Sequence, residues 1–122
     1  MSGINKVILV GHLGKDPEIR TFESGIKKAT FSLATTEIRK DKDGNRIETT
    51  EWHNIVMWGK NAEVAERYIR KGTQIYLEGR LRTRAWEDRN QVKRFTTEIY
   101  VDTFELLARP RDNAAPQQPA DQ

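Results

Sequence analysis

Residues 73–86, TQIYLEGRLRTRAW, constrain the fold more than any other stretch of the chain. Side chains of a strand point alternately to its two faces. Read that way, Ile75, Leu77, Gly79 and Leu81 share one face. Tyr76, Glu78, Arg80, Arg82, Arg84 and Trp86 share the other. Three arginines at every second position would be very costly in a packed core without partners. This strand must therefore bury one side and turn the other to water or to an anion. Arginine interleaved with aromatics is also the composition of a groove for single-stranded nucleic acid, where cations neutralise phosphate and rings take bases. A plain solvated face remains open at this point.

Residues 49–60, TTEWHNIVMWGK, carry a second informative alternation. Trp52, Asn54, Val56 and Trp58 fall on one face; His53, Ile55 and Met57 fall on the other. Two readings stand side by side. Either Ile55 and Met57 pack inward and the tryptophans line an outer platform, or the strand is buried on both faces.

The remaining segments read as short strands and one helix. Residues 4–13 form a first strand whose apolar run, 7–10, implies burial on both faces, with Gly11 and Gly14 marking a bend. Residues 15–28 read as a loop, with turn signals at Asp16-Pro17 and Ser24-Gly25. In the second strand, 28–37, Ala29, Phe31, Leu33 and Thr35 oppose the small polar set Thr30, Ser32, Ala34 and Thr36. Residues 39–48, RKDKDGNRIE, form a polar hairpin connection turning at Asp43-Gly44. Its cations, Arg39 among them, either hold a phosphate backbone or only keep a loop solvated. Residues 61–71 predict a helix capped by Asn61 and closed by Gly72, with Val64, Ala65, Tyr68 and Ile69 as its core stripe. Residues 87–92 are a second hairpin tip, and 93–107 the last strand region, where Phe95, Thr97, Ile99 and Val101 alternate with Thr96, Glu98, Tyr100 and Asp102.

Composition narrows the function classes. Of 122 residues, 32% are charged, for a net charge of +3, which suits an anionic partner. There is no cysteine, so disulfides, thiolate catalysis and cysteine-ligated zinc are excluded. The two histidines, His12 and His53, have no metal-ligand spacing, and GHLGKD lacks the spacing of a phosphate-binding loop. Asp16 and Glu18 form a carboxylate pair with no catalytic partner in view. No enzyme activity, metal or cofactor is expected. The N-terminal apolar run is too short for a signal peptide or a membrane span, so a soluble cytoplasmic, nucleoid-associated protein is expected. Residues 109–122 hold three of the four prolines and no large apolar residue, and are expected to be a disordered tail following a single domain at 1–108.

The order β-β-β-α-β-β points to an all-β fold with one helix: a five-stranded Greek-key barrel of the OB type, the helix lying between strands 3 and 4. Such barrels bind oligonucleotides and oligosaccharides on the sheet face. NKVILVGHLGKDPE, TEWHNIVMWGKNAEVAERYIRKG and IYLEGRLRTRAW together resemble bacterial single-stranded DNA-binding protein, in register from Gly3 to Leu107. The resemblance implies a homotetramer that coats single-stranded DNA in replication, recombination and repair, with little sequence preference. By position it makes Trp52, Trp58 and Trp86 the base-stacking residues, and Lys60, Lys71, Arg82 and Arg84 basic positions near the DNA path. Arg39, Asn54 and Arg80 complete the expected phosphate and polar contacts, and His53 falls at a subunit contact.

Two positions depart from the family pattern. Ile38 stands where better-known members carry a further stacking tryptophan. The family's tail ends in an acidic tip with a final hydrophobic residue that recruits replication and repair enzymes, whereas this sequence reads PADQ, so the resemblance does not carry that recruitment over, whether the chain is a short paralogue or a truncated one. The rival readings are an OB-fold interaction module, such as a primosomal or RNA-binding relative, and a regulatory subunit that assembles with a full-length paralogue.

Overall fold

A computed structural model describes residues 2–110. The expected tail lies, from residue 111 onward, outside the described residues. Six strands and one helix follow in order: β1 (Val7–Leu13), β2 (Glu18–Thr21), β3 (Lys27–Lys40), β4 (Arg46–Trp58), α1 (Lys60–Tyr68), β5 (Gln74–Glu87) and β6 (Lys93–Ala108). The sheet order is β1-β5-β6-β4-β3-β2, and β1 also pairs with β3. That last pairing closes β1, β5, β6, β4 and β3 into the expected five-stranded barrel. β2 lies outside the closure as a short edge strand on β3, within the stretch expected to be loop.

The barrel closes because β1 changes partner along its length. Val7 to His12 pair with β5, and His12 and Leu13 pair with β3. Backbones approach closely at two glycines: a Cβ on Gly11 would stand 2.3 Å from the Ala34 carbonyl oxygen, and one on Gly79 2.3 Å from that of Tyr100. Gly79 also marks a register shift between β5 and β6, the local kink that lets a strand bend round a small barrel.

Inside sit Leu13, Leu33, Ile55, Met57, Ile75 and Leu77, all fully buried, with Ala29, Phe31 and Ile99. The alternation expected of β3, β4 and β5 is therefore met where the strands line the barrel. Helix α1 packs against β3, β4 and β6 and buries Ala62 and Ala65, with Ile69 just beyond its end.

Several details differ from the sequence-based expectation. Helix α1 begins at Lys60 and ends at Tyr68. Asn61 does not cap it; its side chain donates to the Asp102 carbonyl at 3.3 Å. Gly59, with φ 62°, turns the chain out of β4 instead. Gly72 has φ 86° but belongs to the turn in which the Thr73 N–H donates to the Arg70 carbonyl at 3.0 Å. Val64 and Tyr68 are exposed, because only the alanine side of the helix faces the core. Ile8 and Val10 on β1 are 57% and 47% exposed, so β1 is buried on one face only. The polar stretch 39–48 is mostly strand: β3 and β4 stay paired out to Lys40 and Arg46. Only Asp41 to Asn45 turn, with the Asp41 carboxylate accepting the Asp43 and Asn45 N–H groups at 2.9 and 2.8 Å.

Candidate nucleic-acid interface

Register puts the aromatic and basic side chains on one continuous outer face. Cross-strand partners share a face. Across β4 and β3, Trp52 pairs with Ala34, Asn54 with Ser32, Val56 with Thr30 and Trp58 with Lys28. Val56 also pairs with Tyr100 of β6, and Tyr100 in turn with Arg80 of β5. Further along that hairpin, Arg82 pairs with Glu98, Arg84 with Thr96 and Trp86 with Arg94. The face that carries Trp52 and Trp58 is thus the face that carries the arginines and Trp86.

The three tryptophans lie open on this face: Trp52 is 43%, Trp58 41% and Trp86 42% exposed. This decides between the two readings of residues 49–60 in favour of the outer platform. Each ring is seated. Trp52 covers the buried Gly14, where a Cβ would come within 2.6 Å of the ring. Trp58 rests against Phe22, ring centroids 5.7 Å apart, with the Lys28 ammonium 5.2 Å from its centroid. Trp86 donates its Nε1–H to the Thr96 hydroxyl at 2.8 Å, which fixes its ring plane. Seated rings lose little freedom when a base stacks on them. Val56 shares this face yet is buried, flanked by Thr30 and Tyr100. It forms part of the floor.

The cations differ in how freely they can meet a phosphate. Arg80 pairs with Asp102 at 3.2 Å, and both side chains are about half exposed (60% and 48%). Such surface pairs contribute about 0–1 kcal/mol, so a phosphate can take over the guanidinium at little cost. Arg84 pairs with Glu98 at 3.3 Å, and the Glu98 side chain is only 12% exposed. Removing Arg84 would leave a mostly buried carboxylate unpaired, which is far more costly. Arg84 is therefore anchored, and offers its remaining donors from a fixed position. Arg82 lies over the Tyr100 ring at 5.4 Å, a cation–π contact that keeps the guanidinium on the face. A groove lined by the cations Lys15, Lys28 and Arg84 and the carboxylates Asp16, Glu18 and Glu98 runs between these elements.

The other predicted residues are placed as follows. Asn54 is exposed on the tryptophan face. Lys60 opens α1, two residues past Trp58, and Lys71 lies in the exposed turn after α1, its N–H donating to Asp16 at 2.8 Å. Arg39 pairs with Ile47, which by alternation puts it on the reverse face of its hairpin, apart from the tryptophans; Ile38 takes the tryptophan side. His53 is on the opposite face from Trp52, half-buried, its Nε2 2.9 Å from the Thr35 hydroxyl. Burial pushes its pKa below 6.5, with the Glu51 charge pulling it partly back. Tyr100, Phe22, Lys28 and Arg20 belong to the same surface and were not singled out from sequence. The signal for Tyr100 was its shared alternation with Glu98; Phe22 had none, because it stands beside Trp58 only through the β2–β3–β4 pairing.

Comparison with known proteins agrees with this geometry. Residues 4–107 match the single-strand binding protein family. Among solved structures, a Plasmodium falciparum SSB in complex with ssDNA superposes with a TM-score of 0.79 at 35% identity, covering 88% of this chain and 97% of that one. A deletion mutant of the single-stranded DNA-binding protein from Thermus aquaticus gives 0.75 at 28% identity, over 86% of this chain and 51% of that one. With its closed barrel and its open aromatic face, the chain belongs to the single-strand binding protein family.

Proposed function

We propose that this protein binds single-stranded DNA without sequence preference, coating and protecting it during replication, recombination and repair, as a binding protein and not an enzyme. The carrying observation is the single outer face that three half-exposed, seated tryptophans share with Arg80, Arg82 and Arg84. Bases stack on Trp52, Trp58 and Trp86, while Arg80, Arg82 and Arg84 take phosphates, with Asn54, Lys60 and Lys71 beside the path. Every base has a π-face, so stacking reads no sequence. A duplex offers no free base face and is bound poorly. Among the described residues no helix is long and apolar enough to cross a membrane; a cytoplasmic, DNA-associated location belongs to the same reading.

The reading includes self-assembly, with a homotetramer as the family's arrangement. Ile8 and Val10 on β1 are open, and Tyr76 of β5 pairs with Val10 beside them. A second copy covering this face would remove apolar surface from water. His53 is assigned to a further subunit contact.

The test is competition at matched salt between labelled oligo-dT and unlabelled oligo-dT, duplex DNA or poly-U RNA. The expected result is displacement by oligo-dT, weak displacement by duplex, and affinity falling with salt by about 0.7 log units per phosphate contact per log unit of salt. Preference for poly-U over oligo-dT would assign the face to RNA; preference for duplex would overturn the reading.

A further inference from the structure

The tryptophan face does not stop at Trp58. It continues across β3 onto the edge strand β2, where Lys28 stands in register with Arg20. Arg20, Lys28 and Trp58 thus form one row across three strands. Phe22, two residues beyond Arg20, lies on the same side, its ring centroid 5.7 Å from that of Trp58 at a tilt of 33°. That is contact distance for an aromatic pair, so the two rings make one continuous surface with no room for a base between them. The Arg20 guanidinium lies 4.8 Å from the Phe22 centroid.

Three features set this cluster apart from ordinary surface packing. Phe22 is a large, partly exposed ring outside the barrel's hydrophobic core cluster. Its backbone is held: the Phe22 N–H donates to the Ile26 carbonyl at 2.9 Å, and its own carbonyl accepts the Gly25 N–H at 2.8 Å. The third concerns ion pairing, in which its neighbours are like Arg82 on the main path, itself in no ion pair among the described residues. Arg80, Arg84 and Arg94 on the hairpin and Lys27 on β3 are each engaged by a carboxylate, whereas among the described residues neither Arg20 nor Lys28 is in an ion pair. Two cations outside any ion pair, beside two adjoining rings at a sheet edge, supply both elements that single-strand binding needs, a stacking surface and charge for phosphate, although Glu18 lines the same groove and offsets part of that charge.

We propose that Phe22, Arg20 and Lys28 form a further nucleotide position beyond Trp58, where the single strand leaves the sheet over its β2 edge. The base takes the place of the Arg20 guanidinium on the Phe22 ring, and Arg20, swung outward, takes its phosphate together with Lys28. This rests on the single-strand reading above. It extends the path by a position that the three tryptophans do not supply.

The experiment measures affinity of the full chain for a length series of oligo-dT, with wild-type protein, Phe22→Leu and Arg20→Gln. Leucine keeps most of the apolar volume and removes the ring. The expected result is that F22L binds the shortest measurable oligomers as wild type does. Above a threshold length it binds about five-fold or more weakly. R20Q lowers the slope of log affinity against log salt by about 0.7, one phosphate's share, for the long oligomers only. Wild-type affinity of F22L at every length overturns the proposal. So does an equal penalty at every length, which would mean that Phe22 acts by supporting Trp58 or the fold. Failure of the single-strand reading itself shows separately, as absence of oligo-dT binding by the wild-type chain.

Discussion

Gly14→Ala should weaken single-strand binding through a residue that no base touches. Gly14 is buried directly under Trp52, and a Cβ there would lie 2.6 and 2.7 Å from the ring carbons Cζ3 and Cη2. Carbon atoms in contact rest near 3.5–4 Å, so the ring would have to shift by roughly 1 Å. Gly14 has no left-handed φ, so alanine brings no backbone strain. Its N–H bond to the Ser32 carbonyl, at 3.2 Å, can persist. Because Trp52 is 43% exposed, the ring has room to move outward, and the barrel should lose little stability. The cost then falls on binding. Base–aromatic stacking contributes roughly 1–3 kcal/mol per base, a range drawn from proteins of this class. A tilted, unseated ring should forfeit about 1–2 kcal/mol of it, or about five- to thirty-fold in affinity. The assay is a double-mutant cycle with Trp52→Ala, read by anisotropy of a short labelled oligo-dT. The reasoning requires G14A to weaken the wild-type background and to have almost no effect in the W52A background. An equal penalty in both backgrounds, or no penalty in either, would refute it.

Gly79→Ala drives a Cβ to 2.3 Å from the Tyr100 carbonyl oxygen, a backbone atom that cannot step aside; urea denaturation should show a loss at or above the upper end of the roughly 1–3 kcal/mol typical of overpacking. Gln91 holds φ 65° in the β5–β6 turn, where glycine is at ease, so Gln91→Gly should raise stability by about 0.5–1 kcal/mol in the same assay, without changing oligo-dT affinity. His53 has a folded-state pKa below 6.5, chiefly through burial. The unfolded chain therefore takes up a proton first as pH falls, and stability present above pH 6.5 is lost as pH drops toward the folded value. An NMR titration should show a midpoint below 6.5 for His53, and His53→Gln should flatten the loss of stability between pH 7.5 and 5.5.

What the sequence revealed depended on whether a segment faces the core on one side. β5 and β4 do so within the barrel, and their period-two pattern separates Ile75 and Leu77 from the arginines and Ile55 and Met57 from Trp52 and Trp58, while the exposure of the tryptophans shows which side of β4 faces outward. Where β3 and β4 run beyond the barrel there is no core to face. Residues 39–48 then carry no alternation, and pairing of the backbone alone extends the strands. β2 was invisible for a related reason: its four residues, EIRT, are held by pairing with β3, from Glu18 with Thr30 to Thr21 with Lys27. The helix start was misplaced because Asn61, a good cap by type, is drawn instead to the Asp102 carbonyl far along the chain. At the site, the three tryptophans were legible because their strands alternate. Tyr100 and Phe22 join them only through β6–β4 and β2–β3 pairing, and Arg39 falls on the reverse face by a single residue of register.

The most direct test of the account is intrinsic tryptophan fluorescence during titration with long oligo-dT, at low and at high salt. All three tryptophans are placed open on one face, and stacking on bases should quench them deeply. The account predicts quenching that saturates at a fixed ratio of nucleotides to protein and weakens as salt rises. Unquenched fluorescence from the folded protein, at a DNA concentration that saturates binding, would contradict it.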